Sequence, residues 1–148
     1  MRGADWIRIV LCGFVAGVVS FLVSVVFLAF LAPDFVTSLQ RGAPYSDWGG
    51  AFSYGVDVAM GIWAVWLYSA LAPRYGAKPT TAALVGVAWW TIKSLQSAKW
   101  AGLGFVQLDG ALIGLALASL VAAVVASLVG AGLYDKVDRP ANREPATT

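Results

Sequence analysis

The run "IVLCGFVAGVVSFLVSVVFLAFL", residues 9–31, contains no charged side chain. The hydrocarbon core of a bilayer, about 30 Å thick, is crossed by roughly 20 helical residues. Three further stretches are of that length and nearly as apolar: residues 51–72 carry only Asp57, residues 80–99 carry Lys93 within them, and residues 108–134 carry Asp109 near their start. Charged residues make up 12% of the chain and mean hydropathy is +0.76, whereas a soluble domain has about 25% charged residues to meet water. The remaining solvent is an apolar one. The sequence therefore predicts an all-α polytopic integral membrane protein, a four-transmembrane-helix antiparallel bundle.

A chain of 148 residues allows one domain. Residues 1–134 are expected to form a single four-span membrane domain, with spans at about 9–31, 51–72, 80–99 and 108–134. The first span is read as an anchor rather than a cleaved signal peptide. Its apolar run exceeds the usual signal length of about 7–15 residues, and Pro33 follows the one plausible small-residue exit, Ala32. "PRYGAKP", residues 73–79, is a tight basic turn in which Pro73 and Pro79 are expected to stop helix propagation and Gly76 to permit positive φ. "PDFVTSLQ", residues 33–40, has the composition of an interfacial helical turn or two. The charged, proline-containing residues 135–148 read as a disordered cytoplasmic tail.

Basic residues set the orientation. Arg2, Arg8, Arg74, Lys78, Lys136, Arg139 and Arg143 fall on one side of a four-span thread, and only Arg41 and Lys99 on the other. Both termini are thus expected in the cytoplasm.

Several chemistries are excluded by what the chain lacks. It has no histidine and a single cysteine, Cys12, so His-ligated haem, Ser-His or Cys-His nucleophiles and an intramolecular disulfide are ruled out. The net charge of +2 is too small and dispersed for nucleic-acid binding. No catalytic, cofactor-binding or metal-binding set is expected.

The exception to apolarity lies in "WWTIKSLQSAKW", residues 89–100. Counted from the cytoplasmic ends of their spans, Asp57 stands about 22 Å up the second and Lys93 about 20 Å up the third. Opposite charges thus reach nearly one height on adjacent helices. Each alone near mid-membrane would cost about 2.5–3.5 kcal/mol, less toward the interface. Two arrangements satisfy this: a direct or water-bridged Asp57–Lys93 pair, or separate solvation in a polar outer vestibule, with the lysine stem snorkelling or its ammonium resting on Trp89 or Trp100. Either makes the outer half of the bundle polar inside. Tyr54, Asp57, Lys93 and Gln96 are the candidate intramembrane site. Matched by depth, Trp89 and Trp90 would meet Gly61 and Ala64, and Tyr68 would meet Gly86 and Ala82.

Small residues line one face of two spans. On the first, Gly13 and Gly17 stand four apart and are continued by Ser20 and Ser24; on the fourth, Gly110, Gly114, Ala118, Ala122, Ala126 and Gly130 recur every four positions. Such ladders let backbones approach closely in lipid. Packing within the bundle is the favoured reading, and a homo-oligomer seam through the Gly/Ala ladders the second. Membrane lipids are the other expected partners; Arg74 and Lys78 suit anionic headgroups as well as they suit orientation.

"MGIWAVWLYSALAPRYGAKPTTAALVGVAWW", residues 60–90, with "SAKW" at 97–100 and "GFVAGVV" in the first span, resembles a group of small, uncharacterised four-helix bacterial inner-membrane proteins. The resemblance implies a bacterial inner-membrane location and carries over no functional residues. Three functions compete on the residues themselves. The first is a non-catalytic membrane protein acting through a partner, lipid or its own oligomer. The second is an oligomeric small transporter or channel subunit with an outward-facing polar pocket at Asp57 and Lys93. The third, an intramembrane enzyme using Asp57, lacks a second carboxylate or nucleophile for it to work with.

Overall fold

Every long apolar run in the sequence is helical over its described residues, and the second and third helices extend past their runs at both ends. The computed structural model describes residues 3–31, 47–103 and 110–138. Among them the chain forms α1 (Gly3–Leu31), α2 (Asp47–Tyr75), α3 (Pro79–Gly102) and α4 (Gly110–Asp138). Only residues 76–78 and 103 of the described set fall outside these helices. Three of the four are long and apolar enough to cross a membrane, over Asp5–Phe30, Tyr54–Tyr75 and Ile113–Val137. α3 is not among them, because Lys93, Gln96 and Lys99 dilute its apolar content.

Two boundary expectations are corrected. Pro73 does not stop α2, which runs on to Tyr75. So close to the helix end, its missing N–H costs the ladder one bond and its fixed φ suits the helix. The stop comes at Gly76, whose φ of 86° lets its N–H donate to the Ala72 carbonyl at 2.9 Å and close the helix end. Pro79 is the first residue of α3, where a missing N–H costs nothing. The Thr81 hydroxyl pins the turn by donating to the Gly76 carbonyl at 2.9 Å. Residues 135–138, expected as tail, are the last turn of α4; no glycine or proline intervenes before Pro140, and Lys136 complements the negative helix end. The expected interfacial turn at 33–40 and the tail at 139–148 lie outside the described residues.

The helices run up and down in a ring. α1 packs against α2 and α4, α3 packs chiefly against α4, and among the described residues the backbones of α1 and α3 do not come close. Glycines create the closest seam. Gly13 and Gly17 of α1 straddle Gly61 of α2: a Cβ on Gly61 would fall on the Gly13 carbonyl oxygen and 2.5 Å from the Gly17 nitrogen. One on Gly17 would lie 2.5 Å from Val58 Cα. Between α3 and α4 the same role falls to Gly86, whose Cβ would stand 2.6 Å from Val124 Cα. The pairing expected from the sequence forms in part: Ala64 and Ala82 cluster with Trp89 and Tyr68, but Gly61 does not take its place under the tryptophans of α3 nor Gly86 under Tyr68. Both glycines are used on other seams. α2 and α3 are held further apart by the large rings between them, and they touch less than either does its closest neighbour.

The core is correspondingly uneven. Trp89, Tyr68 and Val85 are buried among Ala64, Ala82, Ala123 and Ala126, so bulky rings from two helices fill the space left by small residues on α4. A second cluster joins Ile9, Cys12 and Ala16 of α1 to Val65 of α2. The α4 ladder faces inward through most of its length: Ala118, Ala122, Ala126 and Gly130 are buried, and Gly130 abuts Val65 and Ala16. At the end of the bundle that holds the α2–α3 turn, the Tyr68 hydroxyl donates to Asp135 Oδ2 at 2.8 Å, and the Tyr134 ring meets Tyr68 edge-on at 6.5 Å. Tyr68→Phe is expected to lower stability by about 1 kcal/mol, since it deletes one hydrogen bond to a carboxylate while keeping the ring. A midpoint unchanged in detergent thermal unfolding would remove that bond from the account.

Candidate functional site

The polar residues of the opposite end are placed by helix register. Asp57 sits on the part of α2 that backs onto α1, where its own carbonyl oxygen lies 2.8 Å from the Cβ position of Gly17. The missing side chain at Gly17 thus brings α1 against the aspartate backbone. Lys93 reaches across from α3, and its Nζ donates to Asp57 Oδ1 at 3.2 Å. Of the two arrangements open to these charges, the direct pair is the one formed. The Asp57 side chain is 11% exposed, whereas the Lys93 side chain keeps 39% of its surface. The carboxylate is the enclosed partner and the ammonium the accessible one.

Above the pair α1 and α4 part, and a cleft of about 530 Å³ opens between α1, α3 and α4. Phe21, Val25 and Leu28 of α1 and Ile113 and Leu115 of α4 give it apolar walls. Its polar surface comes from Asp57, Lys93 and four serines, Ser24, Ser94, Ser97 and Ser119. Two of those hydroxyls have committed their protons to their own helices. Ser97 donates to the Lys93 carbonyl at 3.1 Å, and Ser119 donates to the Ala116 carbonyl at 2.7 Å. They therefore offer acceptor lone pairs to anything beside them. The Trp90 indole N–H also donates to the Ala116 carbonyl, at 2.7 Å, and ties α3 to α4 along the same edge.

The four residues singled out from the sequence divide. Asp57 and Lys93 come together and line the cleft. Tyr54 stands one turn before Asp57 and packs edge-on against Phe21, ring centroids 5.4 Å apart, so it supports the α1 wall from outside. Gln96 is exposed and is not part of the lining. Ser97 takes its place, because at about 100° per residue positions 96 and 97 fall on opposite sides of Lys93. Sequence reasoning missed Ser119 and the apolar walls altogether. Periodicity on α4 signalled only the alanine ladder, which runs through Ala118. Among the described residues no three His, Cys, Asp or Glu come together to hold a metal ion.

Toward the α2–α3 turn the bundle closes. Trp89, one turn from Lys93 in that direction, is 0% exposed, and Val85, Ala82 and Tyr68 follow it into the core. Comparison with protein-family models, with curated proteins and with solved structures gave no match.

Proposed function

We propose that the chain is a four-span bundle of the bacterial inner membrane, with both termini cytoplasmic, that acts without catalysis by holding a partner molecule in the cleft above Asp57 and Lys93. The observation that carries this reading is the combination of an apolar exterior with a polar, accessible floor. Leu11, Phe14, Leu22 and Phe30 on α1, Leu84 and Leu95 on α3, and Ile113 and Leu117 on α4 are all exposed. A third or less of the most apolar window of each spanning-length helix is buried inside the bundle. Water penalises so extensive an apolar surface, and lipid does not. α3 is the least apolar helix, and its lysine at mid-span is supported by Asp57, which offsets part of the cost of crossing.

A small transporter or channel subunit is the second reading, favoured by the size and polar floor of the cleft. Trp89 stands against it, since it is fully buried and fills the bundle one turn further in. The buried polar side chains elsewhere in the bundle, Ser20, Tyr68, Thr81 and Ser127, carry no charge to continue a path. An oligomer would have to provide the missing wall. The α4 ladder from Ala118 to Gly130 is spent on this chain's own helices, so such an oligomer would use another face or the open stretch at Gly114.

Accessibility separates the two readings. On a Cys12→Ala background, Ser97→Cys and Ser119→Cys are expected to react with a charged, membrane-impermeant thiol reagent from the periplasmic side only. Lys78→Cys is expected to react only from the cytoplasmic side, and Ala64→Cys from neither. Labelling of Ala64→Cys from the periplasm would replace the closed bundle with a conduit. Labelling of Ser97→Cys and Lys78→Cys from one side would overturn the four-span thread.

A further inference from the structure

We propose that the cleft binds a zwitterionic phospholipid whose headgroup ends in a primary ammonium, with the phosphate on Lys93 and the ammonium on Asp57 and the serine oxygens. The inference rests on the membrane reading above and names the occupant of that site.

Three observations select this chemistry. The first is charge. Lys93 and Asp57 compensate each other, so the cleft floor is neutral overall but presents both signs. A ligand with only a negative charge would meet the lysine and be opposed by the carboxylate 3.2 Å from it. In a low-dielectric site that opposition is weakly screened. A ligand carrying both charges on a short link answers both groups.

The second is hydrogen-bonding capacity. A lysine ammonium has three N–H donors, and among the described residues Nζ donates only to Asp57 Oδ1, which leaves donors for phosphate oxygens. The cleft it lines also holds acceptors, the second oxygen of Asp57 and the Oγ atoms of Ser97 and Ser119, the serine protons being already committed. This acceptor-rich side requires N–H donors from the ligand. A primary ammonium has them and a quaternary ammonium has none.

The third is shape. The cleft volume, about 530 Å³, lies in the range of small-molecule sites. Its walls are hydrocarbon, and Val25 and Ile113, one on each lip, are exposed on the outside of the bundle. The cleft thus opens sideways onto the surface that would face acyl chains. A lipid enters headgroup-first along the membrane plane and leaves its tail between α1 and α4.

The test uses the full chain in mild detergent, titrated in native mass spectrometry with phosphatidylethanolamine, phosphatidylglycerol and phosphatidylcholine of matched acyl chains. Phosphatidylethanolamine should be retained about tenfold more tightly than either of the others, the scale of one charge-assisted contact. Asp57→Asn should abolish the preference over phosphatidylglycerol, and Lys93→Met should weaken all three. Ser119→Leu fills the cleft without touching the ion pair; it should remove selective binding and leave thermal stability near wild type, which keeps the proposal testable if a charge variant fails to fold. Equal retention of the three lipids, or tighter retention of the anionic one by the wild type, would overturn the proposal. So would a preference untouched by Ser119→Leu. Thiol labelling is unaffected by any of these results, so failure of the lipid assignment is distinguishable from failure of the membrane reading.

Discussion

Replacing Gly61 by alanine is expected to destabilise the protein by about 1–3 kcal/mol, the usual cost of overpacking, with the value near the upper end. The new methyl group would meet the Gly13 carbonyl oxygen and the Gly17 nitrogen, which are main-chain atoms and cannot rotate away. α1 and α2 would have to separate along their closest seam. Gly114→Ala supplies the contrast, because nothing lies within 4 Å of a Cβ there. It removes a helical glycine at no steric cost and should stabilise by about 0.5–1 kcal/mol. The same chemical change thus has opposite signs at two helical glycines. Thermal unfolding in detergent reads both, and equal shifts for the two variants would show that the α1–α2 seam is not close-packed.

The second large effect is asymmetric. Lys93→Met leaves a carboxylate whose side chain is 11% exposed with no counter-charge, and should cost about 2 kcal/mol. Asp57→Asn leaves a lysine whose side chain is 39% exposed and long enough to turn toward water. It should cost less than about 1 kcal/mol. The double variant should lose less than the sum of the singles by about 1 kcal/mol, the signature of two residues in contact. Additive losses would dissolve the pair as an energetic unit.

The level of the two charges could be counted from the sequence because rise per residue is fixed in a helix. Hydropathy located each helix but not its ends. It marks the stretch that suits lipid, whereas α2 and α4 continue through Pro73 and Lys136 on backbone hydrogen bonds that do not depend on apolarity. Gln96 and Ser97 illustrate the limit at the site. Both belong to the broad face that periodicity assigns to Lys93, and only the position of α4 decides that the serine enters the cleft and the glutamine stays outside. Ser119 gave no signal, since a serine among alanines reads as one more small residue.

What the sequence by itself determined is therefore one-dimensional: four helices, their order, the height of each charge along its helix and which positions are small enough to allow contact. Pairing between helices was left to the tertiary structure. A glycine records that some backbone can come close but not which one, and Gly61 is filled by α1 rather than by the tryptophans of α3. The cleft follows from the same three-dimensional choice, because α1 and α4 meet where Ala16 and Gly130 permit it and separate where Phe21, Leu28 and Ile113 hold them apart.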